Sequence, residues 1–382
     1  MADHHDDWDE AFRYQERKEQ KKERKQASFN DRSQFKKSDL DQKRKRQDAQ
    51  QETPSEHFLE GRVLAILSEG ILVDCQEKFY LCSLKGALKQ QNIRTKNLVA
   101  VGDFVLFEPQ ASSTQKLYGT IAHIKERRSI LSRADNLSRR KEQLIAVNID
   151  QVLITCSVFH PPLKPPLIDR YIIAAQKGNM HPVIVINKID LLERPPDSLS
   201  FSEQEFIESE KALYDLFLAT YRSLEIPVFP VSTTTKEGLD ALKHVMQGKA
   251  SVFSGQSGVG KTSLINAILG ENFPVGHIIS HSLKGTHTTS TARLIPLEGG
   301  GFCIDTPGIR SFGIWDLQKE EIEAYFTEIF AFGAQCRYPD CSHVQEPDCA
   351  VRKALEEEKI SSLRFDSYCA LMADLSQEHR HR

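Results

Sequence analysis

One eight-residue segment, residues 255–262, constrains the fold of this chain more than any other feature. It reads Gly-Gln-Ser-Gly-Val-Gly-Lys-Thr and lies between the apolar runs 251–253 and 264–269, which predicts a strand, a tight loop and a helix. In such a loop, backbone N–H groups and the helix dipole bind a polyphosphate. Lys261 would then reach the β- and γ-phosphates, and the hydroxyl of Thr262 would bind Mg²⁺. The alternative is an ordinary glycine-rich turn. The predicted phosphate-binding residues are Gly255, Gln256, Ser257, Gly258, Val259, Gly260, Lys261, Thr262 and Ser263.

A second nucleotide signal, Asn-Lys-Ile-Asp at 187–190, follows the predicted buried strand 182–186. A carboxylate at Asp190 can accept hydrogen bonds from two N–H donors of guanine that adenine lacks, which predicts guanine specificity. The next predicted strand ends in Val-Ser-Thr at 231–233, which either offers backbone N–H groups to the guanine oxygen or caps a helix. The predicted base-binding residues are Asn187, Lys188, Ile189, Asp190 and Ser232.

The third nucleotide signal is Phe-Cys-Ile-Asp-Thr-Pro-Gly at 302–308, a strand followed by Asp-x-x-Gly. Asp305 would hold Mg²⁺ through water, and the N–H of Gly308 would approach the γ-phosphate. The polar loop 284–290 precedes this motif and could close over the γ-phosphate as a switch. Two residues of that loop, Thr288 and Thr289, are the candidates to complete the magnesium shell.

From Gln143 to the phosphate loop, predicted strands alternate with predicted helices. This order predicts a mainly parallel, doubly wound sheet with its ligand at the carboxyl ends of the strands. The predicted strands are 151–156, 182–186 and 227–231, and the predicted helices are 167–176, 203–222 and 237–246.

The segment from 61 to about 131 contains short β-like runs separated by turn residues, which predicts a small closed barrel of the oligonucleotide-binding type. The five predicted strands are 61–67, 70–74, 78–82, 104–107 and 118–124. Such a barrel binds nucleic acid through basic and aromatic side chains. The candidates are Lys78, Phe79, Tyr80, Arg94, Lys96, Lys125, Arg127 and Arg128. The alternative is that Phe79 and Tyr80 alternate between core and solvent without a ligand.

Residues 1–54 are nearly free of aliphatic side chains, and basic residues outnumber acidic ones more than twofold between Arg13 and Arg46. Such a segment is expected to be disordered when alone, and its basic run suits a phosphate backbone. The alternative is a solubilising tail. Because no apolar run approaches the ~20 residues of a membrane span and the first residues are unlike a secretory signal, we expect a cytoplasmic protein without membrane contact.

The eight cysteines of a cytoplasmic chain are not expected to form disulfides, so a cluster among them indicates metal or redox chemistry. Cys336, Cys341, His343 and Cys349 together supply the full tetrahedral ligand set of a structural zinc ion. The alternative is unrelated buried cysteines. The remaining cysteines, which lie in apolar runs and are expected in the core, are Cys75, Cys82, Cys156, Cys303 and Cys369. The surrounding segments 320–332 and 361–375 have helical patterns.

The order of these motifs is unusual, because the base-recognising loops come first, the phosphate loop next, and the switch and Asp-x-x-Gly last. This arrangement, together with the cysteine–histidine set, resembles the RsgA (YjeQ) family of circularly permuted, ribosome small subunit-dependent GTPases over about residues 60–350. The resemblance implies an α/β fold: a circularly permuted P-loop GTPase domain with an N-terminal OB-fold β-barrel and a C-terminal zinc-binding helical module. The implied domains are a basic tail (1–54), the barrel (55–133), the G domain (134–315) and the zinc-binding domain (316–382).

The same resemblance implies a function. It predicts a monomeric GTP hydrolase that binds GTP and GDP, Mg²⁺ and one structural Zn²⁺, and that binds the small ribosomal subunit and its rRNA. Hydrolysis would be stimulated by the ribosome during late small-subunit maturation. One alternative is a nucleotide-gated rRNA-binding assembly factor with negligible hydrolysis, and another is an ATPase.

The switch loop departs from the family pattern. The family usually has Gly-Arg-His-Thr-Thr-Thr, whereas this chain has Thr286 in place of the arginine and Ser290 in place of the last threonine. Ile309 follows the Asp-x-x-Gly motif, where small GTPases carry a glutamine that positions water. We therefore hypothesise that His287 helps to position the attacking water, and the alternative is that it only hydrogen-bonds the loop. The predicted catalytic residues are Lys261, His287 and Asp305.

Overall fold

In the computed structural model, short strands with buried alternate residues close a five-stranded barrel between Leu59 and Ile124. The structure describes residues 58–89, 98–111, 116–134, 142–193, 201–270, 292–305, 319–338 and 340–380. The barrel strands are β1 (Leu59–Ile66), β2 (Ile71–Cys75), β3 (Lys78–Leu84), β4 (Phe104–Gln110) and β5 (Leu117–Ile124), and a short helix α1 (Gly86–Lys89) follows β3.

The barrel has the neighbour order β1-β2-β3-β5-β4, in which only the β3–β5 pair is parallel. Its core contains Val63, Val73 and Phe107, all fully buried. The ring of Tyr80 packs 4.9 Å from that of Phe107, so Tyr80 is a core residue. The predicted barrel is confirmed.

An antiparallel hairpin that the sequence did not predict connects the barrel to the sheet. It consists of β6 (Ile130–Ala134) and β7 (Glu142–Val147). Asn148 anchors its end, because its amide accepts a hydrogen bond from the N–H of Arg128 at 2.8 Å and donates one to the carbonyl of Gly102 at 3.0 Å.

A six-stranded sheet forms the centre of the chain, in the order β10-β9-β8-β11-β13-β12. Its strands are β8 (Gln151–Ser157), β9 (His181–Asn187), β10 (Val228–Pro230), β11 (Ala250–Gly255), β12 (Arg293–Pro296) and β13 (Phe302–Asp305). All neighbours are parallel except β12, an edge strand that the sequence did not predict. The associated helices are α2 (Pro165–Lys177), α3 (Asp190–Glu193), α4 (Phe201–Ser223), α5 (Leu239–Met246) and α6 (Lys261–Leu269). The predicted doubly wound sheet is therefore confirmed.

Four helices form the C-terminal module: α7 (Lys319–Tyr325), α8 (Thr327–Gly333), α9 (Ala350–Glu356) and α10 (Ser362–Arg380). The sequence predicted this helical character, but not α9. The module has its own apolar cluster, which includes the fully buried Ile322, Phe326 and Ile329. Its longest helix, α10, packs against α2 of the central sheet.

Side chains also connect the barrel to the sheet, and Leu59–Arg382 form one compact unit. The guanidinium of Arg62 lies 5.0 Å from the ring centroid of Phe104 in the barrel and 4.7 Å from that of Phe302 on β13. Desolvation by burial lowers the pKa of Arg62 to about 10. In the part of the chain that the structure describes, every helix is too short or too polar to span a membrane.

Candidate nucleotide site and metal cluster

The carboxyl ends of the parallel strands bring the nucleotide motifs to one edge of the sheet. Gly255 at the end of β11 pairs with Thr155 of β8, and Ser157 at the end of β8 pairs with Asn187 of β9. The neighbouring strand β13 ends at Asp305 on the same edge. The phosphate loop, the Asn-Lys-x-Asp loop and the start of Asp-x-x-Gly are therefore adjacent, as expected for a parallel sheet.

The glycines of the phosphate loop permit close approaches that other residues would prevent. A Cβ atom on Gly255 would lie 2.0 Å from the carbonyl oxygen of Thr155, and one on Gly260 would lie 2.4 Å from Nδ2 of Asn187. Both residues also have positive φ angles, of 144° and 93°, which L side chains rarely adopt. The glycine pattern of this loop is thus a packing requirement as well as a sequence motif.

Lys261 is the first residue of α6, and its ammonium folds over the phosphate loop. Nζ donates to the carbonyls of Gly255 and Gln256, both at 2.7 Å. Desolvation by burial lowers the pKa of Lys261 below its usual value. Thr262 and Ser263 follow on the first turn of α6 and are exposed, so their hydroxyls are accessible to a ligand.

The Asn-Lys-x-Asp loop is hydrogen-bonded directly to the phosphate loop. Nδ2 of the buried Asn187 donates to the carbonyl of Val259 at 2.9 Å. Nζ of Lys188 donates to the carbonyl of Gly258 at 2.8 Å and to that of His160 at 2.5 Å. These contacts fix the distance between the two loops, and so between a base and a phosphate bound to them. Sequence analysis missed His160, because a contact through a backbone carbonyl leaves no residue-type signal.

Ser232 orients Asp190 through its side chain. Its hydroxyl donates to Oδ1 of Asp190 at 2.6 Å and accepts from the N–H groups of Thr234 and Thr235, each at 3.1 Å. The sequence left open whether this segment offers backbone N–H groups to a base or caps a helix. The buried hydroxyl makes cap-type bonds to the N–H groups two and three residues on and also holds the carboxylate at the start of α3, while contact of this segment with a base stays a prediction. Ile189, in the same loop, donates its N–H to the carbonyl of Val231 at 3.3 Å.

The switch residues His287, Thr288, Thr289 and Gly308 lie outside the described part of the chain, and only the backbone of Asp305 is described.

The predicted metal ligands Cys336, Cys341, His343 and Cys349 form a cluster whose ligand atoms all lie within 4.8 Å of one another. The sulfurs of Cys336 and Cys349 are 3.8 Å apart, and each lies 3.5 Å from Nδ1 of His343. A tetrahedral zinc ion with bonds of ~2.3 Å to sulfur and ~2.05 Å to nitrogen would require separations of about 3.8 and 3.6 Å. The donor set and its spacing therefore fit zinc.

A carboxylate also stabilises the loop between these ligands. Glu346 accepts from the N–H and the hydroxyl of Ser342 at 2.9 and 2.5 Å. Burial raises the pKa of Glu346, but the hydrogen bonds from Ser342 and the nearby backbone outweigh it and hold the pKa at about 2. Tyr368 of α10 donates its hydroxyl to the carbonyl of Ser342 at 3.1 Å. The ligand loop is thus fixed both internally and against α10.

Several barrel residues that the sequence offered for RNA are engaged within the protein. Arg127 makes a bidentate ion pair with the buried Asp103, at 2.7 and 2.8 Å. Lys125 pairs with Glu60 at 2.6 Å, on a more exposed surface. Arg94 and Lys96 lie outside the described residues. The prediction that this face binds RNA stays a prediction.

Comparison with known proteins agrees with this arrangement. Residues 124–315 match the family model described as RsgA GTPase. The small ribosomal subunit biogenesis GTPase RsgA of Chlorobaculum parvum is 39% identical over 286 residues, which cover 74% of this chain and 86% of that protein. The protein of the same name from Bacteroides fragilis is 37% identical over 303 residues, covering 79% of this chain and 91% of that protein.

Two solved structures share the fold. YjeQ from Thermotoga maritima is 30% identical and superposes with a TM-score of 0.63, covering 83% of this chain and 98% of that one. YloQ, described as a circularly permuted GTPase, is 26% identical with a TM-score of 0.63, covering 86% of this chain and 98% of that one. The predicted fold class is confirmed by these matches, by the closed barrel and by the cysteine–histidine cluster.

Proposed function

Since this chain belongs to the RsgA GTPase family, we propose that it binds the small ribosomal subunit and hydrolyses GTP there, in a ribosome-stimulated manner, during late subunit maturation. Family membership makes the chain a GTP-hydrolysing enzyme. The ribosomal role is supported by the names of its relatives, which are small ribosomal subunit biogenesis GTPases.

The observation that carries the nucleotide part of the proposal is the hydrogen bonding between two loops. Asn187 and Lys188 bind the backbone carbonyls of Val259 and Gly258, so the base-recognising loop and the phosphate loop form one rigid unit. Residues 255–263 bind the phosphates through backbone N–H groups, and Lys261 turns from its loop carbonyls to the β- and γ-phosphates. Asp190, oriented by Ser232, selects guanine.

GTPase chemistry requires Mg²⁺, which supplies a positive charge that stabilises the developing charge on the phosphoryl oxygens. Thr262, whose side chain is exposed at the first turn of α6, and Asp305, at the end of β13, are the proposed magnesium ligands. Thr288 or Thr289 would complete the shell, and the N–H of Gly308 would face the γ-phosphate. We assign His287 a part in positioning the attacking water when an RNA surface contacts its loop.

The C-terminal cluster is proposed to hold one structural Zn²⁺ through Cys336, Cys341, His343 and Cys349. All four positions of a tetrahedral ion would then be filled by protein, which leaves none for a substrate. The proposed role of the metal is to stabilise a module that, with the barrel and the basic tail, binds ribosomal RNA. The protein would act as a cytoplasmic monomer, in the compartment that contains ribosomal subunits.

The test is single-turnover GTP hydrolysis with and without purified small ribosomal subunits. We expect subunits to accelerate hydrolysis and large subunits, the matched control, to leave the rate unchanged. A rate that stays negligible with small subunits would instead support the alternative of a nucleotide-gated assembly factor. Co-sedimentation with either subunit, in the GTP-analogue and GDP states, measures binding separately from catalysis.

The role of His287 has its own test. We expect His287→Ala to slow ribosome-stimulated hydrolysis while leaving nucleotide affinity unchanged. Unchanged turnover at unchanged affinity would remove His287 from the mechanism and favour a role restricted to the loop.

A further inference from the structure

Beyond the four ligands, a fifth side chain faces the metal cluster. Oε1 of Glu323 on α7 lies 3.4 Å from Nε2 of His343. His343 is almost fully buried, and its Nε2 forms no hydrogen bond with any described residue, because the Glu323 oxygen is near enough but not in hydrogen-bond alignment. A buried ring N–H without an acceptor is costly, so this nitrogen requires one. Glu323 is the acceptor in reach.

The other face of the ring fixes its tautomer. Nδ1 of His343 lies 3.5 Å from the sulfurs of both Cys336 and Cys349 and is therefore the atom directed at the metal position. A ligating nitrogen must offer a lone pair, so the proton of the neutral ring resides on Nε2. Nε2–H then lies beside the Glu323 carboxylate, and a small movement of that side chain would complete the hydrogen bond that orients histidine ligands and increases their basicity.

A glycine makes room for this contact. A Cβ atom on Gly333, at the end of α8, would lie 2.1 Å from Oε1 of Glu323 and 3.3 Å from Nε2 of His343. Any side chain at this position would therefore displace the carboxylate from the histidine. Gly333 is the last residue of α8 and does not have a positive φ, so a left-handed helix cap does not require a glycine here.

We propose that Glu323 is the positioning residue of the metal cluster: its carboxylate accepts Nε2–H of His343, and Gly333 keeps the path between them open. The inference rests on the proposed zinc site and deepens it. Helix α7 is the first described element after the strand that ends at Asp305. Glu323 thus brings the helix that follows the Asp-x-x-Gly motif in the sequence into contact with the proposed metal ligand His343. Ile322 and Phe326, which flank Glu323 and are fully buried, hold that helix in place.

The test compares metal binding by the full-length protein and its variants. Zinc content is measured on purified wild type, zinc affinity by competition with a chromophoric chelator, and ligand geometry by the absorption bands of the cobalt-substituted protein. Loss of an outer-sphere partner typically weakens metal affinity by about 10–100-fold. We therefore expect Glu323→Ala to lose affinity in that range and to shift the cobalt bands. Glu323→Gln, which retains an oxygen acceptor but no charge, should lose less.

Gly333→Ala provides a second perturbation of the same contact, because it removes no charged group but displaces the Glu323 carboxylate. We expect it to weaken zinc binding as Glu323→Ala does. In the double variant, it should weaken zinc affinity less than twofold beyond the loss caused by Glu323→Ala alone. The matched control is Glu321→Gln, on the same helix, whose carboxylate lies 3.4 Å from Lys177 at the surface. It should leave zinc affinity and the cobalt bands unchanged.

The outcomes separate the two levels of the proposal. A wild-type protein with neither stoichiometric zinc nor tetrahedral cobalt bands would overturn the zinc site itself, and this inference with it. Tight zinc binding that Glu323→Ala does not weaken would overturn the inference alone. If the losses of zinc affinity from Gly333→Ala and Glu323→Ala add fully in the double variant, the glycine does not act through Glu323. That result would also overturn the inference.

Discussion

A buried ion-pair network joins the C-terminal module to the central sheet, and removing its arginine should destabilise the protein strongly. Arg364 on α10 is 4% exposed and pairs with Asp169 on α2, which is fully buried. Its Nε also donates to Glu328 on α8 at 2.6 Å, and its guanidinium lies 4.2 Å from the ring centroid of Phe326. Tyr221 of α4 donates its hydroxyl to Asp169 at 2.7 Å. One guanidinium thus connects four helices.

The expected magnitude follows from burial. Breaking a buried ion pair by removing one partner leaves an uncompensated charge and costs about 3–5 kcal/mol. We expect Arg364→Met to lower the free energy of unfolding by that amount at neutral pH. The matched control is Arg170→Met, which breaks a pair with Asp374 between the same two helices, where the side chains are 37% and 56% exposed. An exposed pair contributes at most ~1 kcal/mol, so Arg170→Met should change the free energy of unfolding little.

The pH dependence of the difference gives a second check. Burial raises the pKa of Asp169 above its usual 3.8, and Arg364 opposes that shift. Without the arginine, the folded-state pKa of Asp169 rises further. A carboxyl whose pKa is raised in the folded state does not reduce stability while it is protonated. The free energy of unfolding falls as the pH rises from the unfolded-state pKa of that carboxyl to its folded-state pKa. The loss of unfolding free energy in Arg364→Met should therefore be largest at neutral pH and shrink as the pH falls into this window.

The assay is equilibrium urea unfolding followed by far-ultraviolet circular dichroism, at fixed zinc and GDP concentrations, because bound ligands alter apparent stability. The double variant Asp169→Asn/Arg364→Met should recover part of the loss, since it removes both charges of the pair. The reasoning is refuted if Arg364→Met costs no more than Arg170→Met at neutral pH, or if its deficit is independent of pH.

Three further predictions concern the nucleotide site. Asp190→Asn should shift binding from guanine towards xanthine nucleotides, measured by competition, and retained preference for GTP or preference for ATP would contradict the assigned role. Gly260→Ala should weaken GDP binding about tenfold or more, since its Cβ would lie 2.4 Å from Asn187 and a strained φ costs ~1–3 kcal/mol. Gly248→Ala, also at positive φ but with no atom within 4 Å of its Cβ, is the control and should leave affinity unchanged. Ser232→Ala should weaken GDP binding by about 1–3 kcal/mol, because it removes the hydroxyl that orients Asp190. Calorimetric titration measures this change, and an unchanged Kd would show that the hydroxyl is dispensable.

Some features were predictable because their chemistry is local in the chain. The glycines and lysine of the phosphate loop, the strand before it and the helix after it are consecutive, so one motif predicts all three. The five barrel strands followed from short β-like runs and from the turn residues between them. By contrast, β12 was missed because a strand of four residues carries too little pattern, and α9 because it has only seven residues.

The sequence by itself predicted the types of chemistry: a polyphosphate loop, a guanine-selecting carboxylate and a tetrahedral set of thiolates and imidazole. Only the tertiary structure decided how these parts are connected. Asn187 contacts Val259 across 72 residues, and Arg364 contacts Asp169 across 195. The approach of Glu323 to His343 depends on two helices and on a glycine between them. Residue type and spacing encode local chemistry, whereas partners distant in sequence are chosen by sheet order and helix packing.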